Sequence, residues 1–135
     1  MFIRYDVNGQ ILERVDLYGP DFVTWVENNP ELNYVEMEIN FDVRNLMTDY
    51  YVDTNTKTLI KRPVMTLPDL IELKIGDEYV IDNLPNTCQV RIDNQDCLDV
   101  TDGVLCISAD IEDEYVITIT SWPYIQSTIK VRATS

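Results

Sequence analysis

The sequence has no histidine among its 135 residues. Histidine is the commonest general base and metal ligand because its pKa lies close to neutral pH. Its absence removes Ser-His and Cys-His nucleophile arrangements and most zinc sites. None of the 24 acidic residues stands out as the spaced carboxylate pair that a glycosidase needs. We therefore expect a protein that is not an enzyme and that holds no cofactor and no metal ion.

Long apolar runs are also lacking. No stretch approaches the roughly 18 consecutive apolar residues of a membrane-spanning helix. The first ten residues, MFIRYDVNGQ, have neither the basic start nor the apolar centre of a secretory signal. We expect a protein that is made and kept in a cytosol unless it leaves inside a larger assembly.

Positive charge is scarce, since 10 Lys and Arg face 24 Asp and Glu and the net charge is −14. Binding to nucleic acid and to anionic membranes depends on Lys and Arg. Neither is therefore expected as a partner. Protein partners, cations or simple solubility remain as explanations of the acidity.

Three cysteines, Cys88, Cys97 and Cys106, are too few and odd in number for a disulfide framework. No Cys-x-x-Cys pair indicates zinc. They are expected to be small buried hydrophobic residues in a reducing compartment.

The first residues read as a β-hairpin followed by a short helix. Residues 2–7 and 11–18 flank Asn8-Gly9, a dipeptide typical of a two-residue type I′ turn. After Gly19-Pro20, Asp21 is expected to cap a helix that ends at Asn28 and contributes Trp25 to the core.

A further strand is predicted over Asn33–Ile39, where Val35 and Met37 alternate with glutamates. Tyr50 and Tyr51 then open a second hairpin, so that one ring faces inward and the other outward.

Two prolines mark a boundary near the middle of the chain. Pro63 and Pro68 fix φ and lack an N–H, so residues 64–69 are expected to form a stiff linker. Residues 1–63 would be a β-rich docking module. Residues 70–135 contain about seven short, evenly spaced strand patterns with turn residues between them. This spacing predicts an immunoglobulin-like β-sandwich, and hence a mainly-β protein with one short helix.

An acidic stretch, Asp93, Asp96, Asp99 and Asp102, invites a calcium interpretation. Its spacing does not match a calcium loop, and aspartates in turns commonly bond to their own backbone. Turn chemistry is therefore the preferred interpretation. Tyr115 is expected to hydrogen-bond back to the connection that precedes it.

Trp122-Pro123-Tyr124 lies between two predicted strands, at a tip of the sandwich. Such aromatic residues either cap the core or anchor a partner, because Trp and Tyr dominate interface hot spots. The second hairpin and the exposed strand contribute further candidates. The candidate interaction residues are therefore Trp122, Tyr124, Tyr50, Tyr51, Val35 and Met37.

Several short segments are similar to those of small tail-region proteins of bacteriophages. They are the run from Tyr50 to Met65, Ile81-Asp82-Asn83-Leu84-Pro85, Asp102-Gly103-Val104-Leu105, the strand that begins at Tyr115, and Trp122-Pro123-Tyr124. The chain departs from that pattern at Glu112-Asp113-Glu114, where those proteins usually carry Pro-Gly, so a contact made there is not carried over. The resemblance implies a virion protein at the tail tip, baseplate or tail fibre, with no catalytic residues.

The partners implied are other tail proteins, such as a tail fibre or a tail tip hub, with several copies around a three-fold axis by analogy. Exposed strand edges would serve such docking by β-augmentation. Two alternatives stay open: an assembly factor for a fibre that is absent from the mature virion, and a receptor- or carbohydrate-binding module in which Trp122 and Tyr124 stack on a sugar.

Overall fold

The computed structural model describes residues 1–38, 45–95 and 97–135. The chain divides into two compact units, Met1–Arg62 and Pro63–Ser135. Strands dominate the described residues of both units, and the helices lie in the first. The mainly-β prediction with a short helix in the first half is confirmed.

The first unit joins a three-stranded antiparallel sheet, in the order β2-β1-β3, with a separate β4–β5 hairpin. Buried side chains from one face of the sheet meet those of α2 and β4 in a small core, formed by Ile3, Tyr5, Ile11, Leu46 and Val52. The described elements of this unit are β1 (Phe2–Tyr5), β2 (Ile11–Val15), α1 (Pro20–Glu27), a 3-10 turn (Pro30–Leu32), β3 (Tyr34–Glu36), α2 (Leu46–Asp49), β4 (Tyr50–Asp53) and β5 (Thr58–Lys61).

The first hairpin has a wider turn than the predicted type I′ turn at Asn8-Gly9. The Asp6 carboxylate accepts the N–H groups of Asn8 and Gln10, each at 2.9 Å, so the loop spans residues 6–10. Gly9 adopts a positive φ of 84°. Its carbonyl accepts the N–H of Val52 at 2.9 Å and so ties the hairpin turn to β4.

The helix α1 begins one residue before the prediction, at Pro20, with Gly19 as its N-cap and no side-chain cap bond. Proline suits this position because the first helical N–H groups lack intrahelical partners. The expectation that Trp25 is a core residue is wrong, since 45% of it is exposed. Its ring lies 5.8 Å from that of Phe22 and 5.9 Å from that of Tyr34, at the exposed side of an aromatic cluster that also contains the buried ring of Phe2.

The strand predicted over Asn33–Ile39 is present as β3, which is shorter at both ends. Ile39 lies outside the described residues. Met37 continues the pairing, because its N–H donates to the carbonyl of Met1 at 2.9 Å.

The second unit contains seven strands in its described residues, in agreement with the predicted number. A sheet of order β6-β12-β11-β8-β9 shares one hydrophobic core with a two-stranded sheet of β7 and β10, as in a β-sandwich. The pairing of β6 with β12 is parallel, whereas the other strand pairs are antiparallel. The strands are β6 (Leu70–Lys74), β7 (Glu78–Ile81), β8 (Cys88–Ile92), β9 (Cys97–Val100), β10 (Leu105–Ser108), β11 (Asp113–Thr120) and β12 (Ser127–Thr134).

Residues 64–69, predicted as a linker, pack as part of the second unit. Val64 forms a parallel bridge with Ile125, and Met65 is buried in the sandwich core. The carbonyl of Asp69 accepts the N–H of Lys130 at 2.9 Å. The segment therefore lies along the start of β12, at the edge of the large sheet, where a proline that lacks an N–H is tolerated.

We expect Gly9→Ala to destabilise the first unit by about 2 kcal/mol or more, because an alanine is strained at this positive φ. Its Cβ would also overlap the Val52 carbonyl oxygen. Urea denaturation followed by Trp25 fluorescence, in a Trp122→Phe background, measures the change. Gly19→Ala is the control, since Gly19 has an ordinary φ of −108° and no heavy atom near its Cβ position. Equal effects of the two substitutions would contradict this interpretation of Gly9.

Candidate functional site

The two sheets of the sandwich differ in width, five strands against two. The small sheet therefore leaves part of the large sheet's inner face uncovered. Along β8, the inward-facing Cys88 and Val90 are buried, but Ile92, next in the alternation, is 46% exposed. Leu98 of β9 faces inward because it pairs with Val90, and yet it is 58% exposed.

These residues border a continuous groove beside β10. Two adjoining hollows of about 260 and 210 Å³ share four lining residues, which are Ile92, Ile107, Ser108 and Ile117. Leu98 lines one hollow and Ile111, which is 69% exposed, lines the other. We call this feature the open groove and define it by these six residues. Its lining is predominantly apolar and is open to solvent.

Two side chains hold the ends of the groove in place. Asp93 extends the pairing of β8 with β11, because its N–H donates to the Val116 carbonyl at 2.7 Å and its carboxylate accepts the Val116 N–H at 2.9 Å. This fixes the backbone next to Ile92. At the other end the Tyr115 hydroxyl donates to the carbonyl of Ile111 at 3.3 Å, which is the bond expected from the sequence.

The charges of the second unit are unevenly placed. It has 4 basic and 13 acidic side chains, a net of −9. Lys130 and Arg132 bind Glu114 at 3.4 and 3.1 Å, and Arg132 also binds Glu72 at 3.3 Å, on the outer face of the large sheet. The hydrogen bonds from Arg132 and then Lys130 hold the pKa of Glu114 below its usual value. Two of the four cations are thus engaged away from the groove.

The rim of the groove is acidic. Asp110 is among its lining residues, and no Lys or Arg lines either hollow within the described part of the chain. Beside it, Asp93 and Glu112 are exposed in turns and Asp113 is exposed at the start of β11. A partner that carries positive charge would therefore meet a favourable potential here.

The residues that the sequence singled out for interaction lie elsewhere. Val35, Met37 and Tyr50 are partly buried and pack against the core of the first unit, while Tyr51 in β4 is also partly buried. Their positions fit a packing role.

At the sandwich tip, Tyr124 packs against the core and its N–H donates to the Ser121 carbonyl at 2.7 Å. Trp122 is 38% exposed and is joined to Pro123 by a cis peptide bond. The structure thus gives Tyr124 the capping position and leaves part of Trp122 at the surface.

The open groove itself was missed because it is lined by aliphatic residues. Alternation of apolar and polar residues predicts that Ile92 and Leu98 face inward, but it does not tell whether an opposite sheet covers them. The signal that would have found the groove is the pairing order of the strands.

The turn chemistry expected of the acidic stretch is seen at Asp102, whereas Asp93 bonds across strands to Val116 and Asp99 lies in a strand. The Asp102 carboxylate accepts the Val104 N–H at 3.1 Å. Asp96 is outside the described residues. No three His, Cys, Asp or Glu side chains of the described residues are grouped so that they could hold a metal ion.

The expectation of three buried cysteines is only partly met. Cys88 is buried, and this burial raises the pKa of its thiol. Cys97 and Cys106 are exposed, because both lie on outward-facing positions of their strands.

Comparison with known proteins identifies no relative: no family model, curated protein or solved structure matches this chain. Within the described ranges, no helix has the length and apolar character needed to cross a membrane.

We expect Leu98→Ala to lower the free energy of unfolding by less than about 1 kcal/mol, because the side chain already contacts water over more than half of its surface. Ile119→Ala, at a fully buried position of β11, should cost about 2–5 kcal/mol. Urea denaturation followed by Trp122 fluorescence, in a Trp25→Phe background, compares the two. A cost at Leu98 as large as that at Ile119 would mean that the groove is closed in solution.

Proposed function

We propose that this chain is a structural component of a bacteriophage tail, at the tail tip, the baseplate or a tail fibre. It acts by assembling with other tail proteins, without catalysis. The similarity of the segments that begin at Tyr50, Asp102 and Trp122 to small tail-region proteins supports this assignment. The same similarity favours a location in the virion after synthesis in the host cytoplasm.

The observation that carries the assembly role is the open groove. Inward-facing Ile92 and Leu98 are side chains of sandwich-core type that remain in water. An exposed apolar surface with a polar rim is typical of a protein–protein interaction site. Docking of a tail fibre or a tail tip hub would bury these residues and complete the core.

The acidity of the chain is consistent with such a role. A net charge of −14 on 135 residues opposes self-association through exposed strand edges before the partner is present. In the virion, several copies around a three-fold axis are the proposed arrangement, by analogy with other tail assemblies.

Mass spectrometry of density-banded phage particles tests the structural role. We expect this chain at a fixed molar ratio to a tail protein. Purified, isotopically labelled chain added to the lysate before banding is the control, because co-banding of the label would reveal adsorption. Absence of the unlabelled chain from the particles, despite its abundance in the lysate, would replace the structural role with that of an assembly factor.

A receptor-binding role is the second candidate, favoured by the partly exposed ring of Trp122 beside Pro123 and Tyr124. If it holds, Trp122→Ala abolishes adsorption of assembled particles to host cells, because aromatic rings supply stacking surface for a sugar. Trp25→Ala, which removes a ring of similar exposure in the first unit, is the matched control. Normal adsorption of the Trp122 variant would exclude this role.

A further inference from the structure

We propose that the open groove accepts an extended, basic segment of a partner protein, which pairs with β10 and becomes the third strand of the small sheet. This inference rests on the assembly role proposed above and names the class of partner segment and its docking position. The segment would run beside Leu105–Ser108 with its apolar side chains over Ile92 and Leu98.

The edge of β10 provides the backbone part of this site. β10 pairs with β7 on one side, and no strand of the described residues pairs with its other side. In an antiparallel ladder, successive residues direct their N–H and C=O groups to alternate sides. Half of these groups in Leu105–Ser108 therefore point toward the groove. An added strand satisfies them by main-chain hydrogen bonds, as in β-augmentation.

The groove provides the side-chain part. Ile107 of β10 forms one wall, and Ile92 and Ile117 of the large sheet lie across from it. The four residues of β10 span about 14 Å at the rise of an extended strand. Because side chains of a strand alternate, every second residue of the added segment would enter the two hollows. Medium-sized aliphatic residues at those positions match the apolar lining.

The acidic residues around the open groove indicate that the partner segment is basic. Asp110 lines the groove, and Asp93, Glu112 and Asp113 flank it. The outward positions of the added strand would face this rim, so Lys or Arg is favoured there. A second copy of the chain is disfavoured as occupant because each copy carries a net charge of −14.

The other free strand edges fit an apolar segment less well. The hollow next to β7, about 510 Å³ in volume, is lined mostly by polar residues that include Glu72, Lys74 and Asp77. At the edge of β3 in the first unit, Val35 is turned to the unit's own core. Of the edges of β3, β7 and β10, that of β10 is the one that borders an apolar groove in the described residues.

A peptide titration of the full-length chain, labelled with ¹⁵N and with ¹³C in its Ile and Leu methyl groups, tests the proposal. The probe is the acetylated, amidated peptide KVKIKVK. We expect amide shifts at Leu105–Ser108 and slower hydrogen exchange of about half of these amides. Methyl shifts of Ile92 and Leu98 should accompany them. Two matched peptides are compared: KKVIVKK has the same composition without alternation, and EVEIEVE has the same alternation with the opposite charge.

Paired variants distinguish peptide binding in the open groove from nonspecific binding elsewhere on the surface. Leu98→Ser should weaken binding of KVKIKVK about tenfold or more, because it removes one apolar contact of the groove. Val80→Ser removes an aliphatic side chain of similar exposure, 53%, from the outward face of β7 and should leave the affinity within about twofold. Leu98 is already exposed, so both variants are expected to fold, which circular dichroism checks.

Several results would overturn the proposal. They are the absence of shifts along β10, shifts confined to β3 or β7, and equal binding of KKVIVKK. Equal binding of EVEIEVE would overturn the basic character of the segment. A peptide-free dimer with protected β10 amides would make a second copy the occupant. The outcome is independent of the particle experiment. Peptide binding without incorporation into virions would support the docking site in the open groove and contradict the structural role in the tail. Incorporation into virions without peptide binding would support the structural role and contradict the docking site.

Discussion

The parallel pairing of β6 with β12 is the constraint on which the second unit depends. It places β6, the first strand of the sandwich, in the large sheet beside β12, the last strand. Ile71 and Val131 therefore lie side by side in the core. The small sheet consists of β7 and β10 in the described residues. Two strands cannot cover five, and the exposure of Ile92 and Leu98 follows from that difference. The open groove is therefore a consequence of topology and not a local defect of packing.

The charged side chains are distributed differently on the two faces of the large sheet. The outer face of the large sheet carries Lys130 and Arg132 together with their acidic partners. The side of the groove carries acids without cations among its described lining residues. An apolar strip bordered by one sign of charge favours partners of the opposite sign and repels further copies of the chain. Solubility and selectivity thus depend on the same side chains.

Local patterns predicted the strands well, because alternation such as that of Cys88, Val90 and Ile92 is a property of a few neighbouring residues. The turn at Asn8-Gly9 was predicted incorrectly because the Asp6 carboxylate, outside the dipeptide, organises a wider loop. Strand pairing and coverage depend on residues far apart in the chain, and alternation does not report them. The predicted interaction residues were chosen as aromatic or as members of an exposed strand, whereas the groove is aliphatic and comes from pairing order.

The same long-range pairing has a consequence for synthesis on the ribosome. Leu70 pairs with Lys130, sixty positions later. The inner residues of β6 therefore emerge well before the strand that will shelter them, and contacts between distant segments are slow to form. Until β12 has been made, nascent Ile71 and Leu73 lack their neighbours in the large sheet. Translation speed through the second unit and access to chaperones during that interval should thus influence how much of the chain reaches its native fold.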